Sequence, residues 1–181
     1  MSQELGTTIY SALCACFGLS PSSSQASALI REAYQDPENA PRPPRSTDVI
    51  YYSVVPDPSA AEAPPSYAAE NPASSSHLPA VASFAAWTLQ VVCYGPHAQD
   101  NARRIRALLY LDGSGYPRSI LRKAGLYPVP DPPEPLVLHE PEGSLWRLRA
   151  DLTISLRAEE KETHPSRRGA VTIPPVVQIH Q

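Results

Sequence analysis

Leu145-Trp146-Arg147-Leu148-Arg149-Ala150-Asp151-Leu152-Thr153-Ile154-Ser155-Leu156-Arg157-Ala158 is the stretch that decides the fold. Side chains of an extended chain alternate between two faces. Trp146, Leu148, Ala150, Leu152, Ile154 and Leu156 therefore point one way, and Arg147, Arg149, Asp151, Thr153, Ser155 and Arg157 the other. A helix would spread both sets around its circumference, so the pattern predicts a strand with one apolar and one polar face. The apolar side, starting at Trp146, is expected to build the core.

Just upstream, residues 136–139 predict a partner strand, joined to the first through Glu140-Pro141-Glu142-Gly143 read as a four-residue turn. Residues 81–94 predict a third strand, with Trp87, Leu89, Val91 and Cys93 on one face and Thr88, Gln90, Val92 and Tyr94 on the other. Val49-Ile50-Tyr51-Tyr52-Ser53-Val54-Val55 is β-branched and aromatic on both faces, as expected of a strand covered on both sides or buried in an interface. Between these last two strands, residues 57–79 are mostly Ala, Ser, Pro and Glu, too poor in apolar groups to offset the entropy of ordering, and predict a flexible insertion.

Helical spacing marks four other segments. Leu5, Ile9, Ala12, Leu13 and Cys16 form a stripe over residues 3–17 that stops at Gly18. Ser20-Pro21 reads as an N-cap and first-turn proline for a second helix running to Pro37. Ala98, Ala102, Ile105, Leu108 and Leu109 mark a helix over residues 97–111, and a short one covers residues 118–124. The chain has 22 prolines, and Asn39-Ala40-Pro41-Arg42-Pro43-Pro44 and Tyr127-Pro128-Val129-Pro130-Asp131-Pro132-Pro133 must be extended connections. The predicted class is α+β: an antiparallel or mixed four-stranded sheet packed against helices, with long proline-rich loops and an extended C-terminal arm. Residues 1–158 are expected to form one domain and residues 159–181 the arm.

Charge and motif content narrow the function. A net charge of −3 opposes a protein whose task is to neutralise phosphates. No apolar run approaches the roughly 18 residues of a membrane span, and the N-terminus lacks a basic leader, so a soluble, unsecreted protein is expected. Cys14 and Cys16 with His77, His139 and His164 do not make metal spacing, since two cysteines one residue apart in a helical stripe cannot both face a site; only Cys16 is expected to face the core. His139 and Glu140 would face opposite ways on a strand, and Gly113-Ser114-Gly115 lacks the parts of a phosphate loop. No catalytic residue, metal ligand or cofactor is predicted, and the chain is read as a non-enzyme.

What stands out instead is a basic cluster, Arg103, Arg104, Arg106, Arg118, Arg122 and Lys123, and the arginine face of the long strand. The segment Ile173-Pro174-Pro175-Val176-Val177-Gln178-Ile179 is apolar with nothing local to pack on. Arg118, Arg122, Lys123, Arg147, Arg149, Asp151, Arg157, Ile173, Val176, Val177 and Ile179 are therefore the candidates for a subunit interface or a lumen lining.

The block from Cys93-Tyr94-Gly95-Pro96 to Asp112-Gly113 carries a resemblance, together with Tyr116-Pro117-Arg118-Ser119-Ile120-Leu121-Arg122-Lys123-Ala124-Gly125, the proline run from Tyr127, and Leu145-Trp146-Arg147-Leu148-Arg149-Ala150-Asp151-Leu152. These motifs, with the Asn39-Ala40-Pro41-Arg42-Pro43-Pro44 lead-in, resemble the phage neck terminator proteins over roughly residues 33–158, apart from the insertion. The resemblance implies a tail-terminator-like virion subunit, a homo-oligomer forming a hexameric ring at the neck. Its expected partners are the tail tube, sheath proteins and the head connector. Phage DNA would pass through transiently without sequence-specific binding, and no membrane is involved. Such a protein would reside in the virion after assembly in the host cytoplasm. The alternatives are a head-completion or connector adaptor ring of the same neck, a small α+β ligand-binding domain or enzyme, and a sequence-tolerant DNA-binding module.

Overall fold

The computed structural model describes residues 2–33, 43–57, 66–67, 80–113 and 115–163. Helix α1 (Ser2–Cys16) and the short α2 (Ser24–Leu29) lead into strand β1 (Ile30–Glu32). Strand β2 (Val49–Pro56), the two-residue β3 (Ser66–Tyr67) and the long β4 (Ala80–Tyr94) come next. After helices α3 (Ala98–Tyr110) and α4 (Pro117–Lys123) come β5 (Leu126–Pro128), β6 (Leu136–Glu142) and β7 (Leu145–Thr163).

The spine of the sheet is the antiparallel pair β4 and β7, in register from Ala80 opposite Thr163 to Tyr94 opposite Arg149. Strand β2 runs antiparallel to β4, and β1 lies parallel to β2 at that edge. Strands β6 and β5 share the other side of β7, β6 near its start and β5 further along. The α+β class holds, with a mixed sheet of seven strands among the described residues where four were expected. The additional strands β1, β3 and β5 are two or three residues long, too short to display a period-two pattern in sequence.

Ile50, Tyr52, Leu89, Val91, Cys93, Ala150, Leu152, Ile154 and Leu156 share one sheet face and bury against Ile9, Leu13, Ala102, Ile105, Leu109 and Leu121 of the helices. Burying one such aliphatic side chain contributes about 1.5–3 kcal/mol, so this single layer of helices on one sheet face holds the domain together. Helix α1 packs against α3, α4, β1 and β2 at once. That wide contact buries Cys14 as fully as Cys16, correcting the expectation that only Cys16 faces the core.

Other local readings shift for identifiable reasons. The second helix ends at Leu29, because β-branched Ile30 pairs beside Ile50 instead of continuing the turn. Its N-cap is Ser23, whose hydroxyl accepts from the Ala26 amide at 3.1 Å, not Ser20. The hairpin closes on two residues, Gly143-Ser144, with Gly143 at φ +66° as a tight hairpin turn requires. Strand β6 therefore continues through Pro141, tolerated because β6 is an edge strand. Strand β7 extends beyond residue 158 to Thr163.

Trp146 is the sharpest departure: it is 67% exposed, not core. The amide of Gly95, just before α3, bonds the carbonyl of Leu148 at 3.3 Å, so the helical layer begins level with Leu148. Toward the hairpin tip no helix is left to cover the apolar face.

Candidate functional site

Among the described residues the opposite sheet face carries no helix, and on its polar half Gln90, Thr153 and Ser155 are exposed. Near the hairpin the same face bears Val49 and Tyr51 of β2, Val92 and Tyr94 of β4, Arg147, Arg149 and Asp151 of β7, and Leu138, Glu140 and Glu142 of β6. The register puts Val49, Tyr94, Arg149 and Leu138 in one row across four strands.

These groups form one network. Arg149 grips Asp151 through two parallel bonds, Nε to Oδ1 at 2.7 Å and Nη2 to Oδ2 at 2.9 Å. Its Nη1 donates to Glu140 Oε2 at 3.3 Å, and the Tyr94 hydroxyl donates to the same oxygen at 2.9 Å. Burial first, then this bond to a carboxylate, push the Tyr94 phenol up to about 12. The bond to Asp151 raises the already high Arg149 further, so the guanidinium stays charged. Tyr51 meets the Tyr94 ring edge-on, with centroids 6.1 Å apart.

A strap from Pro43 to Asp48 crosses this face ahead of β2. Arg45 donates Nε to Glu142 Oε2 at 2.9 Å and Nη2 to the Glu142 carbonyl, tying the strap to the end of β6. Val49 is fully buried here, outside the main core cluster. Arg147 is only 9% exposed, with its guanidinium 4.8 Å from the Tyr94 centroid and Nη1 4.0 Å from Glu142 Oε2. Among the described residues its Nε and Nη2 have no hydrogen-bond partner. Pro43, Tyr51, Tyr94, Glu140, Pro141, Glu142 and Arg147 line a cleft of about 220 Å³ between strap and hairpin.

Three arginines, Arg45, Arg147 and Arg149, are balanced here by Glu140, Glu142 and Asp151. Such a surface can mate with a complementary protein surface, but it lacks the excess positive charge that gripping a phosphate backbone needs. Among the described residues no group of three or more His, Cys, Asp or Glu is placed to hold a metal ion. Cys16 and Cys93 are buried, and burial pushes both thiols up to about 12, the reverse of what a nucleophile needs.

The structure thus unites Arg147, Arg149 and Asp151. It leaves Arg157 on the same face but further along β7, half-buried opposite Tyr127. The basic cluster is divided among internal tasks. Arg118 caps α3 by donating to the Tyr110 carbonyl at 3.1 Å, Arg122 holds both oxygens of Asp112, and Arg106 pairs with Glu134 at 2.7 Å. Arg104 donates to the Cys16 carbonyl at the end of α1 at 2.8 Å, while Arg103 and Lys123 are exposed. Ile173, Val176, Val177 and Ile179 lie outside the described residues, as does most of the insertion over residues 57–79.

Sequence reasoning missed Arg45, Tyr51, Tyr94, Glu140 and Glu142. For Tyr94 a signal existed, since it alternates onto the polar face of its strand. For Arg45 the strap's crossing is a tertiary event with no local pattern. It also missed an apolar rim of Leu136 and Leu145, each 60% exposed, Leu138 at 38%, and Trp146.

A family model described as phage neck terminator protein matches residues 3–180. The match takes in the N-terminal helices and the residues after 158, beyond those that carried the resemblance in sequence. No match is found among curated proteins.

Proposed function

The chain belongs to the phage neck terminator protein family, a family of structural phage proteins, and from that premise we propose that it assembles as a ring at the neck. In this reading six copies close the ring, which terminates the tail tube and joins it to the head connector. Phage DNA then passes through the lumen.

The observation that carries the reading is the one-sided sheet. A self-sufficient monomer gains nothing by leaving Leu136, Leu138, Leu145 and Trp146 in water beside a balanced set of ion pairs. A ring needs two different surfaces on each copy, because its contacts are head-to-tail, and a bare face with a projecting apolar hairpin supplies one of them. Six copies at −3 each give 6 × −3 = −18, so no net positive field would retain DNA sliding through.

Mass measurement of the purified protein, alone and with tail tubes, tests the proposal, followed by electron microscopy of labelled particles. A closed hexamer at the junction of tail and head is the expected result. A strict monomer under both conditions, or label at another position of the particle, would overturn it. Label one layer higher would favour the adaptor ring instead.

A further inference from the structure

The rim of exposed leucines coincides with an unpaired strand edge. Strand β6 pairs with β7 alone among the described strands, and no described strand pairs with its other edge. The two-residue turn makes Glu142 and Leu145 a hydrogen-bonded pair, so by alternation the backbone groups of Glu140, Leu138 and Leu136 also point toward β7. Those of Val137 and His139 then point outward, toward nothing described. An exposed, apolar edge strand is a template for strand addition, and the Leu136-Val137-Leu138 half of this edge carries neither charge nor proline to blunt it.

We propose that the Val176-Val177-Gln178-Ile179 segment of a neighbouring copy adds to this edge of β6, covering Leu136 and Leu138. This deepens the ring reading and rests on it. The segment is one of two four-residue, proline-free, largely apolar runs after Thr163, beside Ala170-Val171-Thr172-Ile173, and its β-branched residues suit a strand. Prolines 174 and 175 immediately before it bias their predecessors, Ile173 and Pro174, toward extended geometry.

Chain length selects the neighbour over the molecule's own tail. Leu136 lies opposite Asp151, which is about 40 Å from Thr163 along β7 at ~3.3 Å per residue. Val176 follows Thr163 by thirteen residues, a reach of about 43 Å if every one is fully extended. A tail returning to its own β6 would need that full reach and a reversal of direction as well. A tail crossing from an adjacent subunit has no reversal to make, and each copy then gives one arm and receives one, as a closed head-to-tail ring requires.

The test uses full-length protein carrying single new cysteines, since the three native ones are buried. Leu138→Cys chains are mixed with Val176→Cys or Val177→Cys chains and oxidised. One of the two mixtures, whichever places its thiol on the Leu138 side, is expected to yield covalent pairs of unlike chains. His139→Pro removes an outward amide without touching the β6–β7 ladder and is expected to cut that yield about tenfold. Val177→Asp is expected to do the same without altering the described fold. Assembly of rings with no cross-link in either mixture would overturn the docking while leaving the ring standing. Intrachain bonds alone in a Leu138→Cys/Val177→Cys double variant would assign the edge to the molecule's own arm and overturn the inference. Failure of the unmodified chain to associate at all would instead remove the ring reading.

Discussion

Arg147 places its guanidinium 4.8 Å from the centroid of the Tyr94 ring, on the sheet face that no described helix covers. The contact is packing as much as charge, because among the described residues buried Nε and Nη2 find no acceptor, and the carboxylate of Glu142 is 4.0 Å from Nη1. A buried, incompletely paired cation carries a desolvation cost that a same-sized apolar chain avoids. Arg147→Met should therefore change unfolding stability by less than about 1.5 kcal/mol. Arg147→Ala, which empties the space under the strap, should cost about 2 kcal/mol or more. Urea denaturation of the two variants decides the matter: equally large losses for Met and Ala would mean that charge, not volume, holds the site.

The junction of β4 and α3 depends on the absence of one side chain. Gly95 sits at φ +114°, and a Cβ there would lie 2.7 Å from Asp48 Cα and 2.8 Å from the Thr47 carbonyl oxygen. Asp48 occupies that space because it receives the His97 amide at 3.0 Å and His97 Nδ1 at 2.8 Å, fixing the entry to α3. Gly95→Ala forces backbone apart and should cost about 3 kcal/mol or more. Gly143→Ala meets nothing within 4 Å and should cost only about 1 kcal/mol, for its left-handed φ. Thermal unfolding of the pair, run side by side, would expose an error in this ranking.

Alkaline pH should loosen the fold through groups that the native state keeps protonated. Burial pushes Tyr52 and Tyr94 from 10 up to about 12, and Cys16 and Cys93 from 9 up to about 12. Each pKa is raised on folding, so each contribution is fully present below the unfolded value and is lost as pH rises through the folded one. Stability should accordingly hold up to about pH 9 and fall between there and pH 12. Denaturation midpoints across that range, with tyrosinate absorbance followed in parallel, test the window. Tyr94→Phe should show a shallower fall, and ionisation of Tyr94 near 10 in native protein would contradict its placement against Glu140.

The parts of this fold that repeat were readable and those that depend on distant chain were not. Residues 145–158 and 81–94 announce their strands by alternation, and the stripe from Ala98 to Leu109 announces its helix, because each pattern samples the same buried surface several times. Ile30–Glu32 and Leu126–Pro128 are strands only because Ile50 and Leu156 wait beside them. The arginine face was legible as a face, but not its closure by Arg45, which lies 97 positions away from Glu142 in the chain. Trp146 shows the limit of pattern: alternation assigns its side correctly, whereas burial depends on where the helical layer stops.

That limit yields a separation between folding and assembly at the hairpin tip. Trp146 shares a face with Leu152, three alternations further along β7, yet one is 67% exposed and the other 1%. Leu152→Ala should therefore cost 2–5 kcal/mol of stability, about what truncating a buried leucine costs in a packed core. Trp146→Ser should alter stability by no more than about 0.5 kcal/mol, as for an exposed site without special contacts. Large aromatic groups that water surrounds in the free subunit are the usual anchors of protein interfaces, where truncation costs about 2 kcal/mol, or roughly thirtyfold in affinity. Sedimentation of Trp146→Ser, alone and with tail tubes, is expected to show weakened association of a normally folded protein. A variant that unfolds as readily as Leu152→Ala would mean that the tryptophan is held by its own chain, and unaltered association would place the subunit contact away from the hairpin tip.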